Sequence, residues 1–304
     1  MLVPVLLREL RVDAGMHPRG QHHLSAASAL AIALGHLYFV ADDEHHLGCL
    51  PLDASMTEPV GLHRLAAGDL PPDPAARKRR KPDLEALLAF GPGAVAARPV
   101  LLALGSGSRP NRERGFLVEL DAAGLPQAVR DVDLARLYAP LRDRFADLNI
   151  EGAFATGATV HLLQRANAGA PRNACIRYPL PAFLAWLAGA AAPPAFDVTE
   201  HALGSAGDVP YGFTDAAAWP GGGWVFSAVA EATTDSYRDG ACAGSMVGRM
   251  SASGDLLALE PLAGAPKVEG VAVRGPGRLL LVTDADDPAR PSQLLGLDWP
   301  AAPA

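Results

Sequence analysis

The 304-residue chain has only three cysteines, few charges and no long apolar run. No stretch approaches the ~18 apolar residues of a membrane span, and the most apolar region, from Ala182 to Ala192, is too short and contains Gly189. Cys49, Cys175 and Cys242 are odd in number and widely spaced, with no CxxC or Cys/His pattern, so neither a disulfide framework nor a zinc site is expected. GxSxG, HExxH, P-loop and GxGxxG phrases are absent. Gly105-Ser-Gly-Ser108 is not followed by Lys-Ser or Lys-Thr and is no phosphate loop. Charged residues make up 19% of the chain and the formal net charge is −7, which argues against a nucleic-acid partner. The one basic cluster, Arg77 to Lys81, reads as a solvated loop. The N-terminus lacks a basic leader and reaches Arg8 and Glu9 too early for a signal peptide. A cytoplasmic location without membrane contact is therefore expected.

What the chain has is 49% hydrophobic residues, enough to exclude disorder, together with 31 glycines and 27 prolines. So much punctuation implies many short elements joined by turns, which favours an all-β fold. A seven-residue phrase, an acid followed by apolar residues and a closing glycine, recurs along the chain. It reads Glu85-Ala-Leu-Leu-Ala-Phe-Gly91, Glu151-Gly-Ala-Phe-Ala-Thr-Gly157, Asp215-Ala-Ala-Ala-Trp-Pro-Gly221 and Glu269-Gly-Val-Ala-Val-Arg-Gly275. A degenerate copy, Ala29-Leu-Ala-Ile-Ala-Leu-Gly35, has Ser28 beside the acid position. The period is about 60 residues, too long for common helical or leucine-rich repeats. Five such units account for residues 1–304 as one domain.

After each phrase comes a second apolar run, at His36 to Ala41, Val100 to Leu104, Thr159 to Leu163, Gly223 to Val229 and Arg278 to Thr283. A polar loop and a third run follow, and a fourth strand is credible in the first four units. The last unit has room for only three strands, so the strand-like segment Val3 to Val12 is expected to complete it. Radially repeated four-stranded units whose two chain ends share one unit describe a five-bladed β-propeller. Two short helical insertions are expected on its rim. Asp133 to Asp147 carries Leu134, Leu137, Leu141 and Phe145 at helical spacing, interrupted by Pro140, and Pro181 to Gly189 is the other.

First strands of propeller blades line the central channel, so residues in register form a ring. Glu85, Glu151, Asp215 and Glu269 are expected to converge there, with Ser28 or Ala29 in the fifth place. Close carboxylates repel by roughly 1 to 4 kcal/mol per pair. A hard divalent cation, Ca²⁺ or another, would offset this, with Asn149 and Asp83 adding oxygen ligands or support. The alternative is a salt-bridged plug in which Lys81 and Lys267 neutralise the acids. The loops after the second strands carry Arg109, Asn111, Arg112 and Arg114, then Arg165, Asn167, Arg172 and Asn173, then Asp235, Arg238 and Asp239. Arginines beside a carboxylate-bound metal suit an anionic small molecule; the alternative, ordinary turn chemistry, accounts for them slightly better. His22, His23, His45 and His46, with Asp42 and Asp43, form either a local metal or acid/base site or a solvated turn. Asp284, Asp286 and Asp287 lack EF-hand spacing.

The phrases Lys81-Pro-Asp-Leu-Glu85, Asn149-Ile-Glu-Gly152, Lys267-Val-Glu-Gly270 and Thr283-Asp-Ala-Asp-Asp-Pro288 resemble those of bacterial propellers grouped with the esterase-like phytase domains. They are more similar to those of an uncharacterised bacterial propeller family beside them. In phytase-like and gluconolactonase-like propellers the channel acids bind Ca²⁺ and the reactions are hydrolytic. The resemblance carries this to Glu85, Glu151 and Glu269, and by register to Asp215; the first blade departs from it, since no acid aligns there. The expectation is a metal-dependent hydrolase of a phosphoester or lactone. In it Glu151 and Glu269 would move protons, and Arg109 or Arg165 would hold the anionic part of the substrate. The competing expectation is a non-catalytic propeller that binds a ligand or protein and whose acids tie the blades together.

Overall fold

The computed structural model describes residues 1–299 apart from Ala14 and residues 237–239. Arg238 and Asp239 therefore lie outside the described residues. The chain opens with β1 (Val5–Glu9) and then lays down blade 1, β2 (Ala27–Ala33), β3 (His36–Ala41), β4 (His46–Pro51) and β5 (Gly61–Arg64). Helix α1 (Pro74–Arg80) leads to blade 2, β6 (Leu84–Phe90), β7 (Val100–Gly105), β8 (Arg114–Leu120) and β9 (Pro126–Asp133). Helix α2 (Ala135–Arg142) precedes blade 3, β10 (Ile150–Thr156), β11 (Thr159–Gln164), β12 (Asn173–Pro179) and β13 (Asp197–His201), with α3 (Leu180–Leu187) inserted before its last strand. Blade 4 has a two-residue edge strand β14 (Ser205–Ala206), then β15 (Val209–Ala218), β16 (Trp224–Glu231), β17 (Cys242–Met250) and β18 (Leu256–Pro261). Blade 5 contains β19 (Val268–Gly275), β20 (Arg278–Thr283) and β21 (Gln293–Asp298), and β1 completes it by antiparallel pairing of Val5 with Gly296.

These five sheets are the blades of a β-propeller, and the N-terminal strand closes the last one as the repeat count required. Each innermost strand touches the innermost strand of the next blade, and β19 meets β2 to complete the ring. Alternation along each strand sends one set of apolar side chains to each neighbouring blade, so a separate core fills every gap between blades. Tyr38, Leu47, Leu101 and Phe116 pack between blades 1 and 2, and Phe154, Phe213, Trp224 and Phe226 between blades 3 and 4. Strands β4 and β17 carry Gly48 and Gly248 opposite Phe39 and Phe226; a Cβ at either glycine would come within 2.1 Å of the facing ring.

The rim helices are shorter than their periodicity suggested, eight residues each, and Leu137, Tyr138 and Leu141 of α2 and Phe183 and Trp186 of α3 join the core between blades 2 and 3. The basic run expected as a solvated loop is instead α1. Asp73 caps it by accepting the Ala76 N–H (2.8 Å), Pro74 opens it, and Arg77 and Lys81 are buried. No helix among the described residues is long and apolar enough to cross a membrane.

Candidate functional site

Every innermost strand contains a β-bulge at one place. Pairing skips a residue between Ala27 and Ala29, Leu84 and Ala86, Ile150 and Gly152, Phe213 and Asp215, and Val268 and Gly270. The skipped residues are Ser28, Glu85, Glu151, Thr214 and Glu269. A bulge leaves its extra residue unpaired and re-aims its side chain, which here turns Ser28, Glu85, Glu151 and Glu269 into the mouth of the channel.

Asp215 does not belong to this set. It stands one residue past the bulge, because the matching phrase was anchored on Gly221, which lies inside the longer turn between β15 and β16. Its carboxylate is fully buried and accepts the N–H groups of Val271 (2.9 Å), Ala216 (2.8 Å) and Leu30 (3.3 Å), joining blades 5, 4 and 1 beneath the mouth. Burial outweighs these bonds and raises its pKa well above the carboxylate range.

The mouth encloses a cavity of about 70 Å³, room for an ion and a few waters. Eight carboxylates and five basic side chains line it among the described residues, so opposite charges are interleaved and negative charge is in excess. On the side of blades 1 and 2, Asp42, Asp83 and Glu85 bring ligand oxygens within 4.8 Å of one another. Asp42 directly follows β3, and Asp83 directs its side chain from a left-handed backbone (φ 57°), a conformation Asp tolerates at some cost. Ser106 Oγ (2.6 Å) and Arg112 Nη1 (2.7 Å) donate to Asp83 Oδ2, and the Lys81 ammonium lies 2.8 Å from Asp83 Oδ1 and on Asp42. Burial works against ionised Asp83, but Lys81 and Arg112 outweigh it and hold its pKa below the usual range. Glu85 faces the cavity; withdrawal from water and the charges of Glu151, Asp83 and Asp42 hold its carboxyl well above the usual range.

Across the mouth, Arg165 is clamped by three carboxylates. Its Nη1 lies 3.1 Å from Glu151 Oε2 and 3.4 Å from Glu269 Oε2, and its Nη2 2.6 Å from Glu231 Oε2. Asn149 donates to Glu151 Oε1 at 2.5 Å, whereas Glu269 Oε1 accepts no hydrogen bond among the described residues and has only Lys267 Nζ at 3.6 Å. Burial raises both carboxyls and Arg165 opposes the rise; Glu269 is pushed up to about 8. Lys267 also reaches Asp284 (3.4 Å) and Asp286 (2.6 Å).

The structure therefore brings together Glu85, Asn149, Glu151, Arg165 and Glu269, and leaves Asp215 and Arg109 aside. Arg109 is exposed at the start of the turn Pro110–Arg112, and Arg112 reaches the mouth in its stead. Arg165, expected as a substrate anchor, is already engaged by the very acids it was expected to accompany. His46 is buried rather than in a solvated turn, with Nδ1 3.7 Å from Glu44 Oε2, and His17 supplies the close contact to Glu44 (2.8 Å). Of the lining residues, Glu231 was not anticipated, Asp42 was expected in a separate site with the histidines, and Asp284 was named only in rejecting an EF-hand. A signal existed: Asp42, Ser106, Arg165 and Asp284 each follow directly on the second strand of their blade, a second ring in register.

The model of a family of unknown function (DUF6929) matches residues 23–298, and the chain belongs to that family. No curated protein matches the chain. Among solved structures, the fold is similar to that of an α-L-arabinofuranosidase from Podospora anserina in complex with cellotriose, with TM-score 0.52 and 9% identity over 98% of this chain and 96% of that one. It is also similar to a glutaminyl cyclase from Myxococcus xanthus (TM-score 0.49, 12% identity, 98% and 97% covered) and a luciferin-regenerating enzyme (TM-score 0.43, 10% identity, 91% and 92% covered). At 9% identity the likeness to the arabinofuranosidase establishes the fold alone.

Proposed function

From the geometry of the channel mouth, we propose that this protein binds a divalent cation on Asp42, Asp83 and Glu85 and uses the adjacent carboxyls to hydrolyse a small anionic phosphoester or lactone. The observation that carries the reading is the meeting of three carboxylate oxygens within 4.8 Å in a bay already in negative excess. All-oxygen ligands and a site partly open to water suit a hard ion such as Ca²⁺. When bound, such an ion supplies Lewis acidity and lowers the pKa of a coordinated water.

The chain's own residues divide the proton work. Glu269, with a pKa of about 8 and few donors around it, keeps its proton at neutral pH and is placed to give it to a leaving group. Glu151, held by donors from Asn149 and Arg165, is the better acceptor. Arg165 fixes the two carboxyls relative to each other and so acts by positioning. A cavity of about 70 Å³ admits only the reacting end of a substrate, whose remainder has to lie outside the mouth.

A second reading, favoured by Lys81 and Arg165 seated directly on carboxylates, is a structural charge cluster under a ligand- or protein-binding face. Calorimetric titration of chelator-treated protein with Ca²⁺ and Mn²⁺, repeated on Glu85→Gln, separates the two. Binding in wild type that is lost in Glu85→Gln supports the cation site and justifies a screen of phosphoesters and lactones. A protein that takes up neither ion refutes it in favour of the structural cluster.

A further inference from the structure

Two of the three carboxylates that would hold a metal already hold a cation. Lys81 ends α1, where its N–H closes the helix on Arg77 O (2.8 Å), and its side chain turns inward until the ammonium sits on Asp42 Oδ2 and 2.8 Å from Asp83 Oδ1. The side chain is 9% exposed, so water does little to screen the contact. Burial works against the charged ammonium, but Asp42, Asp83 and Glu85 outweigh it. Ca²⁺ requires oxygens at 2.3–2.6 Å. An ion at that distance from Asp42 and Asp83 occupies the place of the ammonium, so the two cations exclude each other.

We infer that Lys81 is the specificity-determining residue of this site, a tethered ammonium that an incoming ion has to displace, so that divalent cations enter by exchange and monovalent ones are refused. The inference rests on the cation-binding reading above. Charge explains the selectivity. K⁺ or Na⁺ brings only the single charge of the ammonium it would replace and must compete with a cation held in place by the chain, whereas a divalent ion brings one charge more to the same carboxylates. The remainder of the bay is built to tolerate the exchange. Asp83 keeps Ser106 and Arg112 when the ammonium leaves, and Glu85 faces the cavity. Lysine is also the basic group suited to the part, a point charge on a flexible stem, whereas Arg165 is fixed as a fork on three acids.

The test compares Ca²⁺ affinity of wild type and Lys81→Met by calorimetry, in buffers with and without 0.1 M K⁺ (on the order of physiological ionic strength). Lys81→Met is expected to bind Ca²⁺ at least about tenfold more tightly and to become sensitive to K⁺ competition. Binding by Lys81→Met alone overturns exchange together with the cation-binding reading of the wild type, since the ammonium then plugs the site. Equal or weaker binding in a natively folded Lys81→Met overturns the inference while leaving wild-type binding, and hence the cation site, intact. Absence of binding in both proteins overturns both. Should Lys81→Met fail to fold, the wild type still decides, since the ¹⁵N signal of the Lys81 ammonium must shift and exchange faster with solvent as Ca²⁺ saturates the site. An unchanged signal at saturation refutes displacement.

Discussion

Replacing Asp215 tests whether it is a staple beneath the site or a ligand within it. In Asp215→Ala, the N–H groups of Leu30, Ala216 and Val271 lose their acceptor in a place no water reaches. An orphaned buried donor costs about 1–3 kcal/mol, and relief from burying the carboxyl returns part of the total, which leaves a loss of about 2–4 kcal/mol. Asp215→Asn retains one oxygen. Turned toward Val271 and Leu30, it satisfies two of the three donors and halves the loss. With an unfolding slope of about 3 kcal/mol per molar urea, the alanine variant shifts the midpoint down by about 1 M. Urea titration followed by tryptophan fluorescence reads the shift, and calorimetry on Asp215→Asn should give wild-type Ca²⁺ affinity. A midpoint within about 0.2 M of wild type in Asp215→Ala, or lost cation binding in a fully stable Asp215→Asn, would refute the staple and return Asp215 to the ligand set.

Two further outcomes follow from the same structure. Because the Glu269 carboxyl titrates near 8 when folded and near 4.5 when unfolded, the folded state binds the extra proton between those values. Its contribution is fully present below about pH 4.5 and declines as pH rises to 8, so Glu269→Gln should flatten the fall in urea midpoint over that window; an unchanged pH profile would contradict the assignment. Gly248→Ala places a methyl 2.1 Å from the Phe226 ring and is expected to cost about 1–3 kcal/mol, read as a lower urea midpoint; wild-type stability would mean that the ring has room to yield.

Blade number, strand positions and closure by the N-terminal segment were all legible in the sequence, since each depends on short apolar runs and turn residues that local chemistry dictates. The run at Arg278 to Thr283 coincides with β20 to the residue, and that at His36 to Ala41 with β3. Register was harder to read. A bulge moves the channel-facing position by one residue without altering composition, so Thr214 and Asp215 were indistinguishable until pairing across β15 and β16 was known. Arg165 was recognised as a site residue but given the wrong partners, because a guanidinium offers no local sign of whether it awaits a ligand or already holds Glu151, Glu231 and Glu269 from three different blades. Helix α1 was hidden for the opposite reason. Its run of arginines and lysines reads as solvated, and partners from outside the helix, Asp43 accepting Arg77 at 3.1 Å and Asp42 and Asp83 on Lys81, make burial tolerable.

The pairing of β1 with β21 has a consequence for how the protein is made. Val5 leaves the ribosome long before its partner Gly296. At 5–20 residues per second, the strand waits about 15–60 s with nothing to pair with. Throughout that interval the backbone groups of the strand are unpaired and Leu2, Leu7 and Leu10, which the closed ring covers in part or in full, are open, the kind of surface that recruits chaperones or a second nascent chain. A chain released before residue 293 would keep that surface permanently, so translation that stops short yields an open ring prone to aggregation rather than a smaller propeller.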